Sequence, residues 1–165
     1  MKILLILRHA KTEAYSEGGD RSRALTDRGI RDAGLIGRHV LGVLGCPDVI
    51  VTSDAVRAVQ TTDLFAKAAD CTDRILTEPA IYDADVETLL GVVQSLPDRA
   101  DYAVIVGHNP GFEELASVLT GQTMPPVHMP TAAAAHLEFD IPSWTQITPG
   151  SGRLVALYEP KNLPH

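Results

Sequence analysis

The chain has 165 residues, 45% of them hydrophobic and 21% charged, with a formal net charge of −7. That length suits one domain, 1–165, burying roughly two thirds of the surface its unfolded chain would expose. The acidic balance argues against nucleic acid as the main partner, which would call for a basic face; no apolar run approaches the roughly 18 residues of a membrane span, so no membrane partner is expected.

The opening residues Met1 to Leu7 resemble the start of an export signal, but their apolar stretch meets Arg8 too soon for one. Leu4 to Leu7 read instead as a buried strand ending in Arg8 and His9. A polar stretch from Lys11 to Arg23 follows, long enough to be a functional loop. Thr26 is placed to cap a helix whose inner face is expected at Ile30, Ala33, Gly34, Gly37, Val40, Leu41 and Leu44, with the two glycines allowing close packing on the sheet. Gly45 and Pro47 end it. Val49 to Val51 form a second buried strand stopping at Thr52-Ser53, and Ser53 is the expected N-cap of a helix carrying Arg57 in its first turn and Val56, Val59 and Ala66 inward.

A short strand near Arg74–Thr77 leads to Tyr82-Asp83-Ala84-Asp85 and a helix with Val86, Leu89, Leu90, Val93 and Leu96 inward. Ala103 to Gly107 make a further strand running into His108-Asn109-Pro110-Gly111. Asn109 is an expected N-cap and Pro110 a first helical residue for a helix to Leu119. Residues 121–130, with three prolines, form a loop. Ala133–Phe139 and Leu154–Tyr158 are closing strands joined without a helix. This order predicts an α/β fold: a three-layer α/β/α sandwich with a mostly parallel central sheet and one antiparallel strand. Cys46 and Cys71 have no metal-type spacing, and free thiols in a reducing cytoplasm are expected.

Arg8 with His9, Arg57, and His108 each follow a separate hydrophobic strand, at its carboxyl end or in the first turn of the next helix. In a parallel sheet those ends share one edge, where such folds bind ligands. Taken singly, each residue reads as ordinary surface polarity or a structural histidine. Together, two guanidinium forks and a helix N-terminus make an anion trap of phosphate size. A histidine among those cations is disfavoured as imidazolium and keeps a lone pair for attack on phosphorus. The sequence has no H-E-x-x-H, no aspartate cluster of metal-site spacing and no G-x-x-x-x-G-K-[ST] loop, so neither metal nor cofactor is expected.

The blocks Leu7-Arg8-His9-Ala10, Asp20 with Arg23-Ala24-Leu25-Thr26 and Gly29, Ser53 with Arg57 and Gln60-Thr61, and Val106 to Gly111 resemble the histidine phosphatase superfamily, which includes the phosphoglycerate mutases. Specifically, they are similar to its small phosphohistidine phosphatases of the SixA type. The resemblance extends through Leu137-Glu138-Phe139 and Pro149-Gly150 and covers nearly the whole chain; the family often has proline where this chain has Ala24 and Asp54. It implies His9 as the phosphorylated nucleophile, Arg8, Arg57 and His108 as the rest of the phosphate pocket, and Asn109 as support for the second histidine. Arg21 and Arg23, in the variable loop, are candidate substrate contacts or plain surface charge.

Larger relatives carry an acid that protonates the leaving oxygen of an ester. Here Asp83, Asp85 and Glu87 are the candidates, against the simpler reading of acidity at a helix start. Without such an acid an alkyl ester would lose about 10²- to 10⁴-fold in rate, whereas a phosphohistidine leaves as imidazole, of pKa about 6.5. The leading expectation is therefore a metal-independent phosphatase acting through phospho-His9 on phosphohistidine in a protein. The alternatives are a phosphatase of a small phosphorylated metabolite and a non-catalytic phospho-ligand binding module, the latter opposed by the intact His9 and His108. His39, His128, His136 and His165 are expected to be structural or exposed, with His128 placed where the proline-rich loop could close over the site.

Overall fold

A computed structural model describes residues 1–164. Its centre is one six-stranded sheet built from β1 (Lys2–Arg8), β2 (Val49–Thr52), β3 (Ile75–Thr77), β4 (Tyr102–Gly107), β5 (Ala134–Phe139) and β6 (Gly152–Tyr158), in the order β3-β2-β4-β1-β5-β6. β3, β2, β4 and β1 pair in parallel, while β5 pairs antiparallel with both β1 and β6. One strand therefore runs against the other five, as expected. The strands are apolar on both faces because both are covered: Leu5, Leu7, Val104 and Val106 pack under α1 (Asp27–Leu44) and α2 (Val56–Ala69), while Leu4, Ile6, Ala103 and Ile105 pack under α3 (Val86–Gln94) and α4 (Gly111–Thr120). The result is the three-layer sandwich.

Helix existence was legible; helix rotation was less so. Thr26 caps α1, its side chain accepting from the Gly29 amide. The buried stripe of α1, however, runs through Gly29, Asp32, Ala33, Ile36, Gly37 and Val40, leaving Ile30 46% and Leu41 37% exposed. Two close approaches set this rotation. A Cβ on Gly29 would lie 2.1 Å from the Lys11 carbonyl oxygen, and one on Gly37 2.7 Å from that of Phe65, so Gly37 packs on α2 rather than on the sheet. Gly34 has only the tip of Arg38 nearby. In α2 the inner face is Arg57, Ala58, Thr61, Thr62, Phe65, Ala66 and Ala69, and Val56 is turned out.

The cysteines depart from expectation. Cys46 and Cys71, each two residues past the end of its helix, are joined as a disulfide with Cα atoms 6.0 Å apart. Packing α1 beside α2 brings their C-termini together, which sequence spacing does not reveal; the thiol argument for a reducing compartment falls with it. Among the described residues no helix is long and apolar enough to cross a membrane. His165 lies outside the described residues.

Candidate active site at the carboxyl edge of the sheet

Parallel pairing aligns the ends of β1, β4 and β2: Arg8 is in register with Gly107 and Thr52 with Val106. The residues just beyond are locked to one another by backbone bonds, His9 N–H to the Gly107 carbonyl (2.9 Å) and Ser53 N–H to that of Val106 (3.0 Å). The imidazoles of His9 and His108 consequently meet, with ring centroids 5.3 Å apart. Both are buried, as is Arg57.

The polar edges of this cluster are held from behind. Nδ1 of His9 donates to the carbonyl of Ala10 (2.8 Å), which leaves Nε2 as the unprotonated nitrogen of the neutral ring. Ala10 N–H in turn donates to Thr61 Oγ1 (3.0 Å). Nε2 of His108 shares a hydrogen bond with Ser53 Oγ (2.8 Å). Arg8 donates through Nη1 to the Met129 carbonyl (3.0 Å), and Arg57 donates through Nη1 to the Asp20 carbonyl (2.8 Å) and through Nη2 to Asp20 Oδ2 (3.1 Å). The Nε atoms of both arginines and Nδ1 of His108 are buried without a partner among the described residues. Such orphaned donors are what an oxyanion would satisfy.

Both histidines are kept neutral. Burial is the largest cause for His9, whose pKa falls to about 3; the Ala10 bond opposes it, and His108, Arg57 and Arg8 reinforce it. His108 falls to about 4, chiefly through burial and then Arg57. The cations contribute in the expected direction, but desolvation leads.

A pocket of about 320 Å³ opens beside His108 and Arg57, lined also by Asp20, Tyr82, Asp83, Asp85, Asn109 and Glu114. His9 and Arg8 are not on its lining. Arg21 is exposed, paired with Asp54 (3.0 Å) and stacked on the Tyr82 ring at 4.2 Å. Arg23 bonds Asp20 Oδ1 (3.0 Å), Thr12 Oγ1 (2.9 Å) and the Glu13 carbonyl (3.0 Å), so its donors face the loop rather than the pocket. Asp85 caps α3, its Oδ1 accepting from Thr88 N–H, and Asp83, Asp85 and Glu87 are all exposed.

Two expected capping roles are corrected. Ser53 does not cap α2, whose N-cap is Ala55; its hydroxyl accepts from Ala55 N–H and meets His108. Asn109 does not cap α4, which starts at Gly111 after Pro110; its Nδ2 donates to the Met129 carbonyl (2.9 Å), tying the loop rather than the ring of His108. His128 is 82% exposed and pairs with Glu113, in keeping with the exposed role expected of it. His136 is buried on Tyr158 and Glu138, and His39 packs edge-on against Tyr158. Tyr82, edge-on to His108 with centroids 5.5 Å apart, had no signal in the sequence beyond its place before the acidic stretch.

Residues 4–103 match the histidine phosphatase superfamily, branch 1. An uncharacterised protein of Mycobacterium tuberculosis is 31% identical over 164 residues, 94% of this chain and 100% of its own length. The chain belongs to the histidine phosphatase superfamily. As a member of that superfamily it is a phosphatase, and the solved structures it is similar to include phosphatases of more than one kind. A protein histidine phosphatase SixA complexed with tungstate superposes with a TM-score of 0.84 at 21% identity, covering 97% of this chain and 98% of that one. A SixA phosphohistidine phosphatase candidate from Agrobacterium tumefaciens gives 0.80 at 26% identity, covering 95% and 97%.

Proposed function

We propose that this phosphatase works through a phosphohistidine at His9 and acts on phosphohistidine borne by a protein. Nε2 of His9 attacks phosphorus as the P–N bond to the substrate imidazole breaks, and the departing ring, already protonated at its other nitrogen, keeps the electron pair and leaves as neutral imidazole. Water then attacks the phosphoryl group on His9, the P–Nε2 bond breaks, and phosphate leaves. Arg8, Arg57 and His108 line the seat of the transferring group, where donors that need not reorganise are worth most. The observation that carries the nucleophile is the Nδ1 bond of His9 to the Ala10 carbonyl, which fixes the tautomer and aims the lone pair from Nε2.

The substrate class rests on the carboxylates. Asp20, the acid beside Arg57, is held at about 2 by hydrogen bonds from Tyr82, Arg57 and Arg23 and by the Arg57 charge, so it has no proton to give at neutral pH. Asp85 is shifted down by its capping bonds to Thr88. A site with a nucleophile and an anion seat but no protonated acid suits a leaving group that departs without one. Proteins named as phosphohistidine or protein histidine phosphatases share the fold over 95–97% of the chain, which supports the same reading. Asp83 and Glu114 line the pocket without hydrogen bonds from other described residues, and a small phosphorylated metabolite, with one of them as proton donor, is the second reading. Arg21 enters either reading as a substrate contact at the mouth.

The test is phosphate release, with EDTA present, from a histidine-phosphorylated carrier protein, run beside a phosphoserine peptide and a sugar phosphate. Release selective for phosphohistidine and abolished in His9→Ala supports the proposal. Preference for the sugar phosphate moves the assignment to the metabolite reading. Binding without turnover in every case leaves a phospho-ligand binding module.

A further inference from the structure

Asp20 is a charged residue of the site that the proposed reaction leaves without a task, and unlike Asp83, Asp85 and Glu114 beside it, it bonds an arginine of the phosphate seat. It opens a short 3₁₀ turn, Asp20–Ser22, entered through Gly19 at φ +95°, and from there its carboxylate gathers three side chains from three parts of the fold. Oδ2 accepts from Arg57 Nη2 (3.1 Å) at the start of α2 and from the Tyr82 hydroxyl before α3; Oδ1 accepts from Arg23 Nε (3.0 Å). Its own carbonyl takes Arg57 Nη1 (2.8 Å). Asp20 thus holds both terminal nitrogens of Arg57 and leaves the Nε side, buried and without a partner among the described residues, for the anion. Tyr82, held at its hydroxyl, stands edge-on to His108.

We propose that Asp20 is a positioning residue, which turns the guanidinium of Arg57 toward the phosphoryl seat and fixes Tyr82 as the wall beside His108. This rests on the phosphatase reading above. The geometry makes the role separable from a bystander charge by the sign of its effect. A carboxylate that merely sits near an anion seat repels the anion, so its removal strengthens binding. A carboxylate that holds the seat's arginine in place weakens binding when removed, because a freed guanidinium regains its rotamers and must be ordered again by the ligand.

The test uses tungstate as the probe, titrated calorimetrically into the full chain as wild type, Asp20→Ala, Asp20→Asn, Arg57→Ala and the Asp20→Ala/Arg57→Ala double variant, with turnover of a phosphohistidine protein measured alongside. Asp20→Ala is expected to weaken tungstate binding about tenfold, the scale of a charge-assisted hydrogen bond. Asp20→Asn, which keeps an oxygen acceptor for Arg57 and lacks the charge, recovers part of that loss. In the Arg57→Ala background, removing Asp20 costs nothing further, since its effect runs through Arg57. Asp20 is half exposed, so thermal midpoints near wild type are expected for both substitutions and are checked. Binding by Asp20→Ala as tight as wild type or tighter, or an equal loss with and without Arg57, overturns the proposal. A wild-type chain that neither binds tungstate nor releases phosphate overturns the phosphohistidine mechanism itself, which is a different result.

Discussion

Gly107, the last residue of β4, offers the sharpest perturbation of the link between packing and chemistry. A Cβ added there would lie 2.5 Å from Phe112 Cζ, 2.7 Å from Ile81 Cγ2 and 2.7 Å from Phe112 Cε1. Ordinary carbon contacts are about 3.5 to 4.0 Å, so ring and branch must each retreat by about 1 Å. Neither has room: Phe112 is fully buried and Ile81 is 2% exposed. Overpacking of this kind costs about 1–3 kcal/mol, which for a domain of this size lowers the melting midpoint by about 2–12 °C. The same residue accepts the His9 amide at its carbonyl and precedes His108, so the backbone that yields carries both imidazoles. A displacement on the scale of 1 Å can cost about 10²-fold in turnover. Gly107→Ala is therefore expected to lose stability and kcat together in urea melts and phosphate-release kinetics. Adding Phe112→Leu, which vacates the space, is expected to return part of both, giving a double variant more stable than the sum of the singles. Gly107→Ala within 0.5 kcal/mol of wild type (roughly the scatter of surface substitutions) and with unchanged kcat would refute the reasoning.

Ser53→Ala removes the hydroxyl shared with His108 Nε2 and Ala55 N–H, both buried; a loss of about 1–3 kcal/mol in urea unfolding and a lower kcat are expected, and no change in either would contradict the assigned partnership. His9 and His108, at about 3 and 4, stay neutral in the folded chain while unfolded imidazoles take up protons near 6.5. The stability tied to their neutral burial is thus fully present above about pH 6.5 and lost as pH falls toward 4. Melting midpoints should decline across that window, less steeply in His108→Gln, and the acid limb of kcat/KM should lie below about pH 5 instead of near 6.5. Reduction of Cys46–Cys71, which closes 25 residues, should remove roughly 3.5 kcal/mol of stability, the worth of a loop of this length, and lower the melting midpoint accordingly. Turnover should hold, because the bond precedes β2 and β3, at the sheet edge opposite His9.

Strand identity was readable because both faces of the sheet are covered, so Leu4–Leu7, Val49–Val51 and Ala103–Val106 appear as unbroken apolar runs whatever they pair with. The polar residues at their ends were readable for the same reason, since a strand that stops at one edge must deliver Arg8, His9 and His108 there. Caps made by a side chain on its own turn, such as Thr26 and Asp85, are local and were legible too.

What the sequence did not contain is everything set by two distant segments meeting. The rotation of α1 follows from Gly29 against Lys11 and Gly37 against Phe65, not from the spacing of its own apolar residues. Ser53 and Asn109 have the composition of N-caps, yet their polar groups are taken by His108 and by the Met129 carbonyl, stronger claims that exist only after folding. Lys2, a charged residue on the first strand, is 2% exposed, donating to the carbonyls of Asp98 and Ala100 and to Asp101, partners nearly a hundred residues away. The disulfide and the Asp20–Arg57–Tyr82 junction have the same character. Hydrophobic periodicity and local capping are properties of one segment and are written in it; partners across tens of residues are chosen by tertiary geometry, which decides where each polar group finds its hydrogen bond.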